Sequence, residues 1–122
     1  MKNNKNREEF KARLYTFVLK MVRYIDGLDS KNVNSVIGKQ LLRSGTSILA
    51  NYVEASSASS KKDYINFFNH SLKSANESKV WLCLLRDVNK KTNVNAELLS
   101  ELIEISNIFA SSILTLKNKK NI

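Results

Sequence analysis

Apolar residues recur along this chain at three- and four-residue spacing in four separate stretches, and no strand-like alternation competes with them. The first stretch, about 8–28, carries Phe10, Leu14, Phe17, Val18, Met21, Val22 and Ile25 and ends at Gly27 with the polar run Asp29, Ser30, Lys31 and Asn32. The second runs over about 33–56 and gives way to the turn sequence SSASS at 56–60. Ser60 and Asp63 predict the start of the third, 61–89: the serine oxygen accepts an orphan amide and the carboxylate favours the positive helix end. Its inward row is Tyr64, Ile65, Phe68, Leu72, Ala75, Leu82 and Leu85. Lys90 to Asn95 reads as the last turn, with Asn95 capping a fourth helix over about 96–117 that turns Leu98, Leu102, Ile105, Phe109, Ile113 and Leu116 inward. Long helices joined by short connections specify an all-α, antiparallel up-down-up-down four-helix bundle. It forms one domain over residues 1–122, with frayed ends.

Two features depart from simple amphipathic helices. Between Gln40 and Glu54, small and polar residues stand where Leu is usual, and at ~100° per residue Gln40, Ser44, Ser47, Asn51 and Glu54 share an arc of about 80°. That stripe borders Ile37, Leu41, Ile48 and Tyr52, so its groups need partners. It is either a hydrogen-bonded network that fixes helix packing, with Arg43 and Glu77 as members, or a contact surface for a ligand or nucleic acid. The second feature is surplus apolar surface, since an arc of about 100° suffices for a surface helix. Leu42, Leu49 and Val53 lie outside the inner arc of the second helix, Trp81, Leu84 and Val88 outside that of the third, and Ile103, Ala110 and Leu114 outside that of the fourth. Exposed on a monomer these would form a large patch, which predicts a homo-oligomer; the alternative is a small bundle with wide buried arcs.

Composition fits long helices: 122 residues hold no proline and three glycines, and 43% are hydrophobic. No run of ~18 apolar residues and no apolar N-terminal signal core are evident, so a cytoplasmic protein without a membrane span is expected. Cys83, inside the apolar run Val80 to Leu85, reads as an inert buried thiol. The formal charge of +9 changes the picture more, because a basic surface attracts polyanions. Residues 1–24 hold seven basic and two acidic side chains, and 59–92 hold seven and three, whereas 25–58 and 93–122 balance at three and three. Arg13, Lys20 and Arg23 on the first helix and Lys61, Lys62 and Lys73 near the start of the third are the phosphate-binding candidates; neither set is interleaved with surface aromatics that stack bases. Two competing uses remain open. Glu97, Glu101 and Glu104 form an acidic stripe able to face the first helix in the same or a neighbouring subunit, and richness in Lys and Asn also follows from AT-rich coding sequence.

Catalytic patterns are hard to assemble. A dinuclear metal bundle needs Glu-x-x-His motifs on paired helices, and the one histidine, His70, lacks that spacing from Asp63 and Glu77. No nucleophile elbow or phosphate loop supports a site at His70. Glu54 and Glu77 form either an acid-base pair or partners for Arg43, Ser and Asn, the latter being the simpler use of a carboxylate. Neither enzymatic activity nor a cofactor or metal is expected.

The string Gln40-Leu41-Leu42-Arg43-Ser44-Gly45-Thr46-Ser47-Ile48, with Ala50-Asn51-Tyr52 and Glu54-Ala55, resembles the bacterial four-helix-bundle family of the 23S rRNA intervening-sequence protein. Ser60-Lys61-Lys62-Asp63-Tyr64-Ile65, then Glu77 with Trp81-Leu82 and Leu84-Leu85, extend the resemblance over about residues 10–116. Leu49 stands where the family often has glycine. The resemblance implies a ring-like homopentamer without enzymatic activity, and a likeness to the accessory protein of diversity-generating retroelements, which binds a reverse transcriptase and nucleic acid. The combined expectation is a non-catalytic oligomer that associates with RNA or DNA through its first and third helices. The alternative is an adaptor for a polymerase-like protein partner, without direct nucleic-acid contact.

Overall fold

The computed structural model describes residues 4–90 and 93–119. Among these residues are four α-helices and no strand: α1 (Asn4–Asp26), α2 (Asn32–Ala55), α3 (Lys61–Val88) and α4 (Asn93–Asn118). Each helix packs on the next and α4 closes back on α1, giving the up-down-up-down bundle that short connections dictate. The start of α3 is capped as the sequence predicts: Ser60 Oγ accepts from the Asp63 amide (3.0 Å), and the Asp63 carboxylate accepts from the Ser59 amide (3.1 Å). At the N-terminal side, α1 begins a turn before the apolar pattern does. Polar residues extend an existing helix at little cost once packing has nucleated it.

The cap expected at Asn95 needs correction. Helix α4 starts at Asn93, and Asn95 lies inside it, 1% exposed. Its Nδ2 donates to the Tyr24 hydroxyl (2.8 Å) and the Leu82 carbonyl (3.2 Å), tying α4 to α1 and α3. A buried amide with partners on two other helices contributes more to the fold than a local cap exposed to water does. Of the turn expected at 90–95, residues 91–92 lie outside the described ones.

Both ends of the bundle are specified, in different ways. At one end Phe10, Tyr52, Phe68 and Phe109 meet with centroids 5.0 to 6.0 Å apart and mostly edge-on geometry. Such pairs add ~0.5–1.5 kcal/mol each to the burial of their area. At the other end Asn34 and Asn89 exchange two amide hydrogen bonds of 2.9 and 2.8 Å, and Asn34 also reaches Asp29 Oδ1 at 2.8 Å. Between them run the fully buried Leu14, Met21, Leu41, Ile48, Ala75, Leu82, Leu102 and Ile105.

The four contacts between helices are unequal. The α2–α3 seam is the most extensive and the α1–α4 seam the least. Serines and Ala75 line α2–α3, so the backbones approach closely. On the α1–α2 side, a Cβ placed on Gly45 would lie 2.1 Å from Met21 Sδ, so Gly45 forms the slot for that thioether. Among the described residues, α4 is long and apolar enough, by length and composition, to cross a membrane. In this fold its apolar row, Leu98, Leu102, Ile105, Phe109 and Ile113, is buried inside the bundle.

Candidate nucleic-acid interface

The polar stripe of α2 meets a matching stripe on α3. Ser44 and Ser78 lie with their hydroxyl oxygens 2.7 Å apart, and because Ser78 donates to the Ser74 carbonyl (2.8 Å), Ser44 supplies the proton of the pair. Further along, Ser74 donates to Ser47 Oγ (3.0 Å), which also accepts from Asn51 Nδ2 (2.9 Å), and Ser71 donates to the Ile48 carbonyl (2.9 Å). At the rim the Arg43 guanidinium bonds Gln40 Oε1 and the Glu77 carboxylate. These hydroxyls satisfy one another inside the protein, which makes the stripe a packing device rather than a contact surface. Glu54 is the exception and corrects the expected network: it is exposed and joins none of these bonds. Glu77 therefore pairs with Arg43 and not with Glu54. Sequence reasoning missed Ser71, Ser74 and Ser78, although their three- and four-residue spacing was a readable signal.

Of the candidate cations of α1, Arg13 is placed directly against carboxylates. Arg13 donates from Nε and Nη2 to the two oxygens of Glu101, both at 2.7 Å, and from Nη2 to Glu104 at 2.8 Å. This bidentate bond is the strong form of an ion pair. Its hydrogen bonds hold Glu101 below the usual carboxylate range and raise Arg13 above the usual guanidinium value, while burial opposes both shifts. Lys20 pulls Glu101 further down. Lys20 and Arg23 share an open groove of about 860 Å³ between α1 and α4 with Glu97 and Glu101, over a floor that includes Phe17, Tyr24, Leu28 and Leu98. The expectation for Arg13 is thus corrected. It is a structural ion-pair partner, and the acidic stripe of α4 faces helix α1 of its own chain.

At the opposite end, the lysines of α3 have different surroundings. Lys61, Lys62, Ile65, Asn66 and Asn69 of α3 and Lys117 of α4 line a cleft of about 480 Å³. Lys61 Nζ donates to the Lys119 carbonyl (2.9 Å), which ties the end of α4 to the start of α3 and fixes the rim. Lys73 lies on the same face as Lys62, Asn66 and Asn69, spaced four, three and four residues apart, beyond the cleft. Asp63 is the one carboxylate in 61–76, its oxygen turned to the Ser59 amide, and none occurs in 105–119. Asn66, Asn69 and Lys117 are the members that sequence reasoning missed; the first two were legible from their spacing, and Lys117 was not.

Of the apolar residues assigned to an oligomer face, Leu42, Val53, Leu84, Val88, Ile103 and Leu114 are exposed, Leu114 by 62%. Leu49 and Trp81, assigned to the same face, are half-buried and pack against the core as well, Leu49 on α2 and Trp81 on α3. Tyr15 and Leu19 add exposed apolar surface on α1 that the sequence reading left out, and Val22, counted there in the apolar row of the first helix, is exposed as well. Cys83 is half-buried rather than buried, and His70 is exposed on α3.

Residues 9–111, from the first turns of α1 through most of α4, match the family model of the 23S rRNA-intervening sequence protein. The chain belongs to that family. Its fold is similar to that of a protein of unknown function from the S23 ribosomal protein family of Bacteroides thetaiotaomicron, with a TM-score of 0.79 and 35% identity over 88% of this chain and 96% of that one. No curated protein matches the chain. The serine seam, the Arg13 ion pairs and the α3 side of the basic cleft all fall inside the span matched by the 23S rRNA-intervening sequence family, while Lys117 falls beyond it.

Proposed function

We propose that this member of the 23S rRNA-intervening sequence family is a non-catalytic, homo-oligomeric protein of the cytoplasm that associates with RNA or DNA. One observation carries the reading: the carboxylates of α4 face α1, which leaves the surplus of a +9 chain concentrated where α3 begins and α4 ends. Phosphate polymers are the natural partners of such a basic surface. The polar residues that offered chemistry in the sequence, Ser44, Ser47 and Glu77, are occupied by Ser78, Ser74 and Arg43, which supports a role without catalysis. Exposed Leu42, Val53, Ile103 and Leu114 support self-association, and the homopentamer implied by the resemblance gives weak phosphate contacts avidity.

Structured RNA and duplex DNA titrated at several salt concentrations test the reading. Binding at micromolar concentration or tighter, falling steeply with salt, is expected. No binding at low salt overturns it. Light scattering with and without RNA reports the assembly in the same samples, and a monomer that ignores RNA removes both parts. The mostly apolar α1–α4 groove favours a second reading, a protein adaptor; a partner retained after nuclease treatment, and lost on substitution in the groove but not at Lys62, would support it.

A further inference from the structure

We infer that the cleft between the start of α3 and the end of α4 binds the phosphodiester backbone of single-stranded nucleic acid, with Lys62 and Lys117 holding phosphate from opposite walls. The inference rests on the nucleic-acid reading above and gives it a place and a ligand class. Three observations carry it. The site is an open depression of about 480 Å³, with cations contributed by two helices rather than by one. Asn66 and Asn69 lie between them and offer neutral donors and acceptors, a set suited to phosphate and sugar oxygens. The bond from Lys61 to the Lys119 carbonyl links the start of α3 to the end of α4 at one side of the site, so the two helices that supply the cations are adjacent there.

The geometry also says what the cleft does not use. In the first turn of α3 the Asp63 amide is already engaged by Ser60 Oγ, and the Asp63 carboxylate accepts from the Ser59 amide just before the helix, so the lysine and asparagine side chains are the groups assigned to the site. The nearby rings point inward: Tyr64 stacks on Phe68 at 4.8 Å between centroids, and Phe67 packs against the core. Without a stacking ring, recognition falls on the backbone, and binding is tolerant of sequence and strongly dependent on salt. A duplex holds its phosphates in two fixed rows, whereas a flexible single strand can bend its backbone to meet lysines on two different helices.

The test uses the full chain and short oligo(U), oligo(dT) and a duplex as labelled probes, followed by fluorescence anisotropy across a salt series. Lys62→Gln combined with Lys117→Gln is expected to weaken single-strand binding at least tenfold and to flatten the salt dependence by about 1.4, at about 0.7 per phosphate contact. Both lysines are exposed, so helicity and the melting temperature should stay unchanged. Lys20→Gln with Arg23→Gln, the control in the α1–α4 groove, should stay within twofold. Asn66→Ala with Asn69→Ala separates the two polymers: loss on oligo(U) and oligo(dT) alike assigns these amides to phosphate, and loss on oligo(U) alone assigns them to the ribose hydroxyl. Single-strand binding that persists undiminished in the Lys62 and Lys117 variant overturns the cleft but leaves the nucleic-acid function standing. Native protein that binds none of the probes at low salt overturns that function first. A duplex bound through the cleft as tightly as a single strand overturns the strand assignment.

Discussion

Arg13 on α1 and Lys62 on α3 sit in the two most basic segments of the chain, yet their neighbours give them opposite uses. Arg13 is held by Glu101 and Glu104 from a helix nearly ninety residues away in sequence, so its charge is cancelled where it stands. Lys62 lines a cleft with Asn66 and Asn69 of its own helix and Lys117 of α4, and Asp63, the one carboxylate in 61–76, is turned to the capping of α3. Local density of Lys and Arg is therefore a poor measure of local potential. What decides it is which helix comes alongside, because opposite charges a few ångströms apart cancel while those a Debye length away are screened.

If carboxylates are what silence α1, removing them should give it a function. Glu101→Gln with Glu104→Gln is expected to raise affinity for single-stranded RNA about fivefold and to steepen the salt dependence by about 0.7, the share of one added phosphate contact. Unchanged affinity would break the comparison, since the α1 cations would then be silent for another reason. The same contrast has a stability side. Arg13→Ala should cost about 1 kcal/mol in chemical denaturation, because it leaves two carboxylates beside each other without their bidentate partner. Lys62→Ala, which removes no ion pair, should stay within about 0.5 kcal/mol.

The smallest effect concerns pH. Glu101 has a lowered folded-state pKa, caused first by its hydrogen bonds from Arg13, so its stabilisation is fully present above the unfolded glutamate value of about 4.3. It is lost as pH falls through the lower folded value. The native chain should therefore lose a few tenths of a kcal/mol more than Glu101→Gln between about pH 5 and pH 3, an amount kept small by solvent screening at a one-third exposed side chain. Urea midpoints compared at both pH values read the difference. A native chain no more acid-sensitive than the variant would show that the bidentate bond contributes nothing in solution.

Much of the fold was legible because helix periodicity is a local property. The apolar rows led by Phe17, Leu41, Phe68 and Leu102 were set by spacing alone, and the Ser60–Asp63 cap followed from two residue types three apart. Asn95 was misread for the same local reason: an Asn before an apolar run looks like a cap, and nothing in its neighbourhood announces Tyr24 and Leu82 as partners. The polar stripe of α2 was recognised as needing partners, but those partners, Ser71, Ser74 and Ser78, come from another helix and had to be brought alongside it. Trp81 and Leu49 were assigned outward by angle, and packing drew both partly inward because long side chains reach across a helix surface to a nearby core.

Four helices, their approximate ends, the row that each buries and the family to which they point follow from the order and spacing of residues alone. Spacing and capping are read within a few residues, and a chain without proline and with short connections has few alternatives to an antiparallel bundle. Tertiary structure alone decided which cations are cancelled and which share a cleft, that Asn95 joins three helices, and that the serine stripes close on each other. Each of these depends on groups distant in sequence arriving within hydrogen-bonding distance, and Coulombic and hydrogen-bond energies fall too steeply with distance for a one-dimensional pattern to carry them.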